Sequence, residues 1–422
     1  MNKFLTTTLR GDKVLWAVFA LLFIVSMVEM FSASSKLVHQ SAYVYDPILR
    51  HVKNYTFGFV ALLLVQVVDF KYIRLLGYVG LFFSLALLVY VLFFGVTQGN
   101  AARWISIAGF QFQPSEFAKL SLIVVVSDLV ERFQTKEQQD RNYKYIASLV
   151  IVVCGLIFLE NFSTAAILFV IVMAMMWIGE IDYKKILSTF GVVLAVVMLV
   201  LAVAVVVPED VYARSTNPAL KLIKRSYTWV SRIDNFFTDE EVSKYVITDD
   251  NFQANHAQIA VARGGFFPSG PGTSVERNYL PEAFSDFIFA IIVEELGAII
   301  ACFIVALYLI LLFRAGKVAQ QSDSLFCAIL VIGVTLMIVM QAFVHVGVSV
   351  HLGPVTGQPL PLISNGGTSI LINCIYFGII ISVTRYIQDQ QLIKQKVAEA
   401  KEESLEKDNK QSKEIDIIEE TK

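Results

Sequence analysis

The stretch Tyr279 to Gly297, YLPEAFSDFIFAIIVEELG, runs from a polar loop into an apolar helix and takes Asp286, Glu294 and Glu295 with it. Charge in a membrane segment is costly, and where it persists it handles ions, protons or polar substrates. Leu280-Pro281 breaks the chain ahead of the helix, and Ser285 or a neighbour is placed to cap it, with Asp286 in the first turn. At a rise of ~1.5 Å per residue Glu294 lies about 12 Å deeper than Asp286, with Glu295 deeper still. At ~100° per residue Glu294 is about 80° around from Asp286, and Glu295 is on the opposite side. The three acids therefore cannot act as one cluster. Asp286 can meet a polar substrate at the headgroup level, whereas Glu294 and Glu295 are expected to pair inside the bundle. Spacing alone leaves a second reading of Asp286 open, an acid favoured by a helix N-terminus.

Two further sets carry usable chemistry. In Gln113-Pro-Ser-Glu-Phe-Ala-Lys119, Pro114 suits a first helical turn, and Glu116 and Lys119 are three apart and able to pair. Such a pair either serves a site or bridges the helix structurally. Nearby, Arg103 beside Trp104 can clamp a phosphate or anchor an interfacial turn. In Gly353 to Ser369, dense prolines and glycines between two apolar segments fit a re-entrant loop, tolerated at membrane depth only when buried in protein or lining a cavity. Ser364, Asn365, Thr368 and Ser369 are its candidate lining; the alternative is a loop that only closes the bundle. Gly264 to Gly272 is a turn-rich stretch whose backbone can approach a ligand closely. His256, His345 and His351 lack metal-ligand spacing and read as hydrogen-bonded structural histidines. Glu29 is a lone acid expected to pair locally. Cys154, Cys302, Cys327 and Cys374 lie in apolar runs and read as small core residues.

The elements that must position these residues are membrane helices. The 422 residues are 56% hydrophobic and 17% charged, unlike soluble domains, and a net charge of −2 offers no basic field for nucleic acid. Ten apolar segments fall near 14–33, 55–69, 75–96, 115–130, 146–160, 165–179, 186–207, 284–313, 325–348 and 369–385. The first lacks a cleavage site and is long enough to span. An even count puts both termini on one side. Short loops on that side carry Lys71, Arg74, Arg132, Lys136, Arg141, Lys144, Lys184, Lys185, Arg314 and Lys317, ten basic residues. Those on the other carry four, Lys36, Arg50, Lys53 and Arg103, so both termini are expected in the cytoplasm. A long loop between the seventh and eighth segments, about 208–283, then faces outward. Its part Pro218 to Phe237 mixes Lys221, Lys224, Arg225 and Arg232 with apolar residues, as an interfacial or a packed amphipathic helix would. Residues 1–385 thus form an all-α membrane domain of ten transmembrane helices. Residues 386–422 form a charged cytoplasmic tail, expected to start as a short helix and then to be disordered.

Arg103-Trp104, QPSEFAK, GGFFPSGPGTSVERNYLPEAFSDFIFAIIVEELG and GQPLPLISNGGTS occur in this order over about residues 10–385. Together they resemble the SEDS family (shape, elongation, division and sporulation; FtsW/RodA/SpoVE). Ser274-Val275-Glu276-Arg277 followed by Leu-Pro-Glu-Ala is more similar to its division-type than to its elongation-type members. Two departures stand out: Glu160-Asn-Phe-Ser-Thr-Ala165 replaces a usual Gln-Pro-Asp-x-Gly-Thr segment, and Asn365 stands where an aromatic residue is common.

The resemblance implies a peptidoglycan glycosyltransferase of the bacterial inner membrane and its division septum. Such an enzyme polymerises lipid II, a lipid-diphosphate-linked disaccharide-pentapeptide, within the divisome beside a class B penicillin-binding protein transpeptidase. Asp286 would be the general base that deprotonates the acceptor hydroxyl. The leaving diphosphate needs positive charge. Arg103, Lys119, Arg263 and Arg277 are the candidates, or a divalent ion (Mg or Mn) held partly by Asp286. The Glu116–Lys119 pair carries over as a feature of the central cavity. A lipid II flippase would need a polar path through the whole bilayer, but the unusual polar residues concentrate near the outer face. A non-catalytic scaffold is the third class, and the intact Asp286 motif speaks against it.

Overall fold

The computed structural model describes residues 10–33, 45–98, 101–107, 110–132, 136–206, 226–232, 234, 236, 247, 251–280 and 283–420. Ten long helices coincide with the ten apolar segments. They are α1 (Lys13–Ala33), α2 (Asp46–Val65), α3 (Phe70–Phe94), α4 (Pro114–Glu131), α5 (Lys136–Glu160), α6 (Phe162–Ile178), α7 (Tyr183–Val206), α9 (Ile288–Gln320), α10 (Leu325–Ser349) and α11 (Gly367–Glu420). The short α8 (Phe252–Arg263) lies in the long connection between α7 and α9. Among the described residues, eight helices are long and apolar enough to cross a membrane. The other two are α6, at 17 residues, and α4, which carries Glu116, Lys119, Asp128 and Glu131.

Burial is distributed as a membrane protein requires. Phe57, Phe82, Phe83, Phe93, Phe94 and Leu199 are exposed, while Glu116, Lys119, Asp128, Glu294 and Glu295 are buried. In a bilayer, apolar side chains face the solvent and charged ones must turn inward and pair. Helix α7 is the most exposed span, with 6% of its apolar window buried. Four cysteines remain free, and Cys302 is exposed rather than in the core expected from its apolar run, because it lies on an outward-facing side of α9.

Two elements depart from what the sequence leads one to expect. Residues 96–112 form a three-stranded antiparallel meander, β1 (Val96–Gln98), β2 (Ala101–Ile107) and β3 (Phe110–Phe112), with Thr97 opposite Ala102 and Ser106 opposite Gln111. Strands this short leave little periodic signal. Helix α11 runs on through the charged tail to Glu420, past the point where disorder is expected. A run rich in Lys, Glu, Gln and Ala has high intrinsic helix propensity. Residues 391–402 are exposed, as a solvated segment should be, and Lys394 pairs with Asp323 at 2.7 Å.

Helix α9 is broken at Gly297, where φ is +76°. The two halves leave unsatisfied backbone groups, which cannot be left bare in lipid. The Gly264–Gly270 stretch supplies the partners. Ala298 N donates to Gly265 O at 2.9 Å and Ile299 N to Phe266 O at 3.4 Å. Ser269 N and Gly270 N both donate to Glu295 O at 2.9 Å. This glycine-rich backbone thus approaches a helix break, not an open ligand site. The carboxylates beside the break complete the seam. Glu294 accepts from Val275 N at 3.1 Å and from the Ser274 hydroxyl. Glu295 accepts from the Ser32 hydroxyl, from Gly272 N at 3.0 Å and from Ser274 N at 3.1 Å. Both acids therefore pair inside the protein, as depth and angle indicate.

A Cβ at Gly297 would lie 2.8 Å from Phe266 O and Phe267 C, on a backbone that L side chains rarely adopt. Gly297→Ala should cost about 1–3 kcal/mol and lower the thermal midpoint of the detergent-solubilised protein. Gly155→Ala, with nothing within 4 Å of its Cβ position, should leave that midpoint unchanged or raise it.

Candidate functional site

Asp286 sits in a turn one residue before Phe287, the N-cap of α9, and so outside the helical first turn expected for it. No side chain caps α9; the Ser285 hydroxyl instead donates to Asp286 Oδ1 at 2.9 Å. The turn is fixed by what surrounds it. Phe287 packs with Ala257, Ala260, Leu280 and Val348 in a cluster beneath α8, and Pro281 and Glu282 lie outside the described residues. Asn365 N donates to Phe284 O at 3.0 Å, and the Ser364 hydroxyl donates to Ser285 O at 2.6 Å. Residues 284 and 285, beside the acid, are thus held by the 353–369 loop.

That loop is buried in protein, and helices around it satisfy its irregular backbone. The Tyr308 hydroxyl donates to Pro361 O at 2.5 Å, the Tyr55 hydroxyl to Leu362 O, and the Ser26 hydroxyl to Ile363 O at 3.0 Å. His345 is a pivot. Its Nε2 accepts from Phe289 N at 3.4 Å, so Nδ1 carries the proton and donates to Gln358 O at 2.7 Å. Gln358 in turn donates to the Thr164 hydroxyl at 2.7 Å. These bonds deliver Gly357, with φ +62°, against Asp286: a Cβ there would be 3.2 Å from Oδ2. A side chain at 357 would press on the carboxylate, and glycine avoids that contact.

The structure sorts the candidate residues. The Glu116–Lys119 pair is closed and buried at 2.7 Å. Arg103, on β2, donates from Nε to Glu160 O at 3.0 Å, and its charge acts on Asp286. Arg263 and Arg277 are engaged elsewhere. Arg263 pairs with Glu276 at 3.4 Å, and His256 Nδ1 lies 2.6 Å from the same carboxylate. Arg277 donates to Ser32 O at 3.1 Å and lies 3.7 Å from Glu295. The loop hydroxyls also have internal partners. Ser364 Oγ accepts from Leu360 N at 2.7 Å, the Thr368 hydroxyl donates to Gln111 O at 3.1 Å, and Ser369 Oγ accepts from Asn373 at 3.2 Å. Glu29 departs from expectation: it is buried, and neither carboxylate oxygen finds a hydrogen-bond partner among the described residues.

Sequence spacing missed Arg232 as a site residue. Residues 226–232 are helical, Arg232 lies over the Trp229 ring at 5.4 Å, and Arg232 Nη1 donates to Val355 O at 2.9 Å. Lys221, Lys224 and Arg225 of the same amphipathic stretch lie outside the described residues, as does Lys36. The signal was present only as a three-residue Trp–Arg spacing, which any amphipathic helix shares.

Burial raises the Asp286 carboxyl above the ordinary carboxylate value, and the Ser285 hydrogen bond, Arg103 and Arg232 oppose that rise. Burial lowers both guanidiniums, while Asp286 supports their charge. Among the described residues no group of three or more His, Cys, Asp or Glu side chains is placed to hold a metal ion. Among the described residues, the cations that act on Asp286 are these two guanidiniums, and a carboxylate under their charge is a poor donor for a divalent ion.

The sequence matches the cell cycle protein family FtsW/RodA/SpoVE over residues 12–389, and the chain belongs to that family. It is 34% identical over 313 residues to a Taylorella equigenitalis protein named probable peptidoglycan glycosyltransferase FtsW, covering 73% of this chain and 78% of that one. A Saccharophagus degradans protein of the same name is 32% identical over 381 residues, covering 86% and 90%. Among solved structures, a chain of a peptidoglycan synthase complex that coordinates polymerization and crosslinking superposes with a TM-score of 0.65 at 22% identity. It covers 90% of this chain and 99% of that one. RodA of Thermus thermophilus superposes with a TM-score of 0.60 at 24% identity, covering 89% and 97%. The fold is therefore the multi-helix membrane fold of this family.

Lys119 is fully buried. Glu116→Gln should strip its counter-charge and cost about 3–5 kcal/mol, read as a lower thermal midpoint. Adding Lys119→Met should restore most of that loss, because no uncompensated charge then remains.

Proposed function

We propose that this chain is a peptidoglycan glycosyltransferase that polymerises lipid II during septal wall synthesis, with Asp286 as general base. It spans the bacterial cytoplasmic membrane with both termini inside and works beside a class B penicillin-binding protein transpeptidase. Family membership and the names of its relatives support the activity. The arrangement of Asp286 carries the chemical reading: a partly exposed carboxylate, braced on one oxygen by Ser285, approached at the other by the side-chain-free Gly357, and under the charge of two guanidiniums.

Glycosidic bond formation needs a proton removed from the acceptor hydroxyl as its oxygen attacks the donor's anomeric carbon. Asp286 takes that proton. The C–O bond to the diphosphate breaks, and its electron pair leaves with the diphosphate. That anion needs no acid, only positive charge where it forms; Arg103, whose charge acts on Asp286, supplies it. Arg263 and Arg277, held by Glu276, Ser32 and Glu295, keep the long connection folded against α1 and α9. Ser364, Thr368 and Ser369 act through the shape of the 353–369 loop. The excess of basic residues on the loops that share a side with the termini supports cytoplasmic termini, and Asp286 is then on the outward side, where lipid-linked sugars are polymerised.

Two measurements test this reading. With purified lipid II and its transpeptidase partner, Asp286→Ala should lower polymer formation by at least about 10²-fold while the thermal midpoint and co-purification persist; normal polymerisation would remove the base assignment. The base must be ionised, and burial raises its pKa. Activity should therefore fall with decreasing pH at values above the ordinary Asp pKa of about 3.9. Arg103→Ala removes a charge that lowers this pKa, so the acid limb of the profile should move to higher pH. Co-purification with a division-specific rather than an elongation-specific transpeptidase tests the septal role.

A further inference from the structure

We propose that Arg232 is a second cation for the substrate's diphosphate and closes with Arg103 on the same anion. This rests on the polymerase reading above. Five contacts bring the two arginines to one place from distant parts of the chain. Arg103 Nε donates to Glu160 O. Two residues on, the Phe162 ring packs against Trp229, with centroids 4.9 Å apart. Arg232 lies over that same Trp229 and donates from Nη1 to Val355 O. Two residues beyond Val355, Gly357 meets Asp286. The two guanidiniums, the 160–162 turn and the 355–357 turn thus surround one carboxylate.

The other candidate cations already have carboxylate partners: Lys119 has Glu116, Arg263 has Glu276 and Arg277 has Glu295. Arg103 and Arg232 differ. Among the described residues, their hydrogen bonds go to backbone carbonyls, and no carboxylate lies within ion-pair distance of either. Both act on Asp286, and they repel each other. Asp286 supports the charge of both, and Glu160 adds to it at Arg103 alone, so among the described residues Arg232 has Asp286 as its one acidic influence. A planar guanidinium has five donors in a fork suited to phosphate oxygens, and using one on a carbonyl leaves the rest available.

The reaction alters this balance in one step. The acceptor O–H gives its proton to Asp286, whose charge is lost as the new C–O bond forms. The old C–O bond breaks, and its electrons leave on the diphosphate. The arginines lose their counter-ion as one further negative charge develops on the diphosphate beside them. Both interactions strengthen towards the transition state, which is what lowers a barrier. Trp229 fixes the orientation of the Arg232 side chain, so little rotamer freedom is lost on binding.

The test uses the full chain with its transpeptidase partner. Arg232→Ala should lower kcat/KM for lipid II polymerisation by about 10²-fold with the thermal midpoint within the spread of the unaltered protein. It should also weaken binding of undecaprenyl diphosphate at least tenfold, with undecaprenol binding unchanged. Arg232→Lys, which keeps the charge and loses the fork, should recover part of both. The acid limb of the pH profile should rise in Arg232→Ala, which loss of a merely structural contact would not produce. Polymerisation by Arg232→Ala at the unaltered kcat/KM, or loss of activity with diphosphate binding intact, would overturn the inference. If Arg232→Ala fails to fold, Arg232→Lys and Arg232→Gln carry the comparison, and equal diphosphate binding by the two would overturn it. An inactive Asp286→Ala beside a fully active Arg232→Ala removes this proposal alone. Full activity in both removes the polymerase reading as well.

Discussion

Backbone polar groups at membrane depth must be satisfied within the protein, and this constraint governs the whole arrangement. The chain breaks helical regularity at two places, Gly297 within α9 and the 353–364 loop before α11. At each break the released N–H and C=O groups are met by another segment. The 264–270 backbone fills the gap at Gly297, and Ser26, Tyr55, Tyr308 and His345 reach the loop from four helices. Asp286 belongs to a turn bonded to the loop and precedes the first half of the broken helix. Its position is therefore an outcome of how both irregular segments are satisfied.

Charge follows the same logic with higher stakes. A buried pair gains little net stability, yet a partner removed from it leaves a severe penalty. The protein places its pairs at two levels of α4. Glu116 and Lys119 close on each other at one end; at the other, Asp128 accepts Arg74 at 2.8 Å and Arg132 at 2.7 Å, and Glu131 meets Arg74 at 2.5 Å. Arg314 joins Asp12 to tie α9 to the start of α1. Against these closed pairs, the site around Asp286 is the exception. Its two guanidiniums rest on carbonyl oxygens, and the acid itself is half-exposed.

Much of this was legible in the sequence, for physical reasons that differ by element. Long apolar runs declare membrane helices wherever lipid is the solvent, and all ten coincide with helices. Depth and angle along one helix correctly removed Glu294 and Glu295 from Asp286. What spacing could not supply was any contact formed by folding back. The Ser274–Glu294 bond joins residues 20 apart, and the Arg277–Ser32 bond joins residues 245 apart. Arg277 and Arg263 looked free in the sequence only because their acids lie elsewhere in the chain. Arg232 looked like one cation among several on an amphipathic stretch, since its neighbours Phe162 and Val355 come from other parts of the fold. The 96–112 meander was hidden by the shortness of its strands.

The competing influences on Asp286 give this geometry its chemical sense. Burial alone would push the acid towards the neutral form, which is useless as a base. Arginines alone would stabilise the ionised form so well that it would have little affinity for a proton. Here the two effects oppose each other on one side chain, with burial the larger and the Ser285 hydroxyl and two guanidiniums working against it. The result is a carboxylate with more proton affinity than a solvent-exposed aspartate. The positive charge that restrains it is carried by side chains with donors to spare for an incoming anion. A general base and an anion site are usually discussed as separate requirements. Around Asp286 one pair of arginines serves both, because the charge that the base gives up on protonation is the charge that the leaving diphosphate brings.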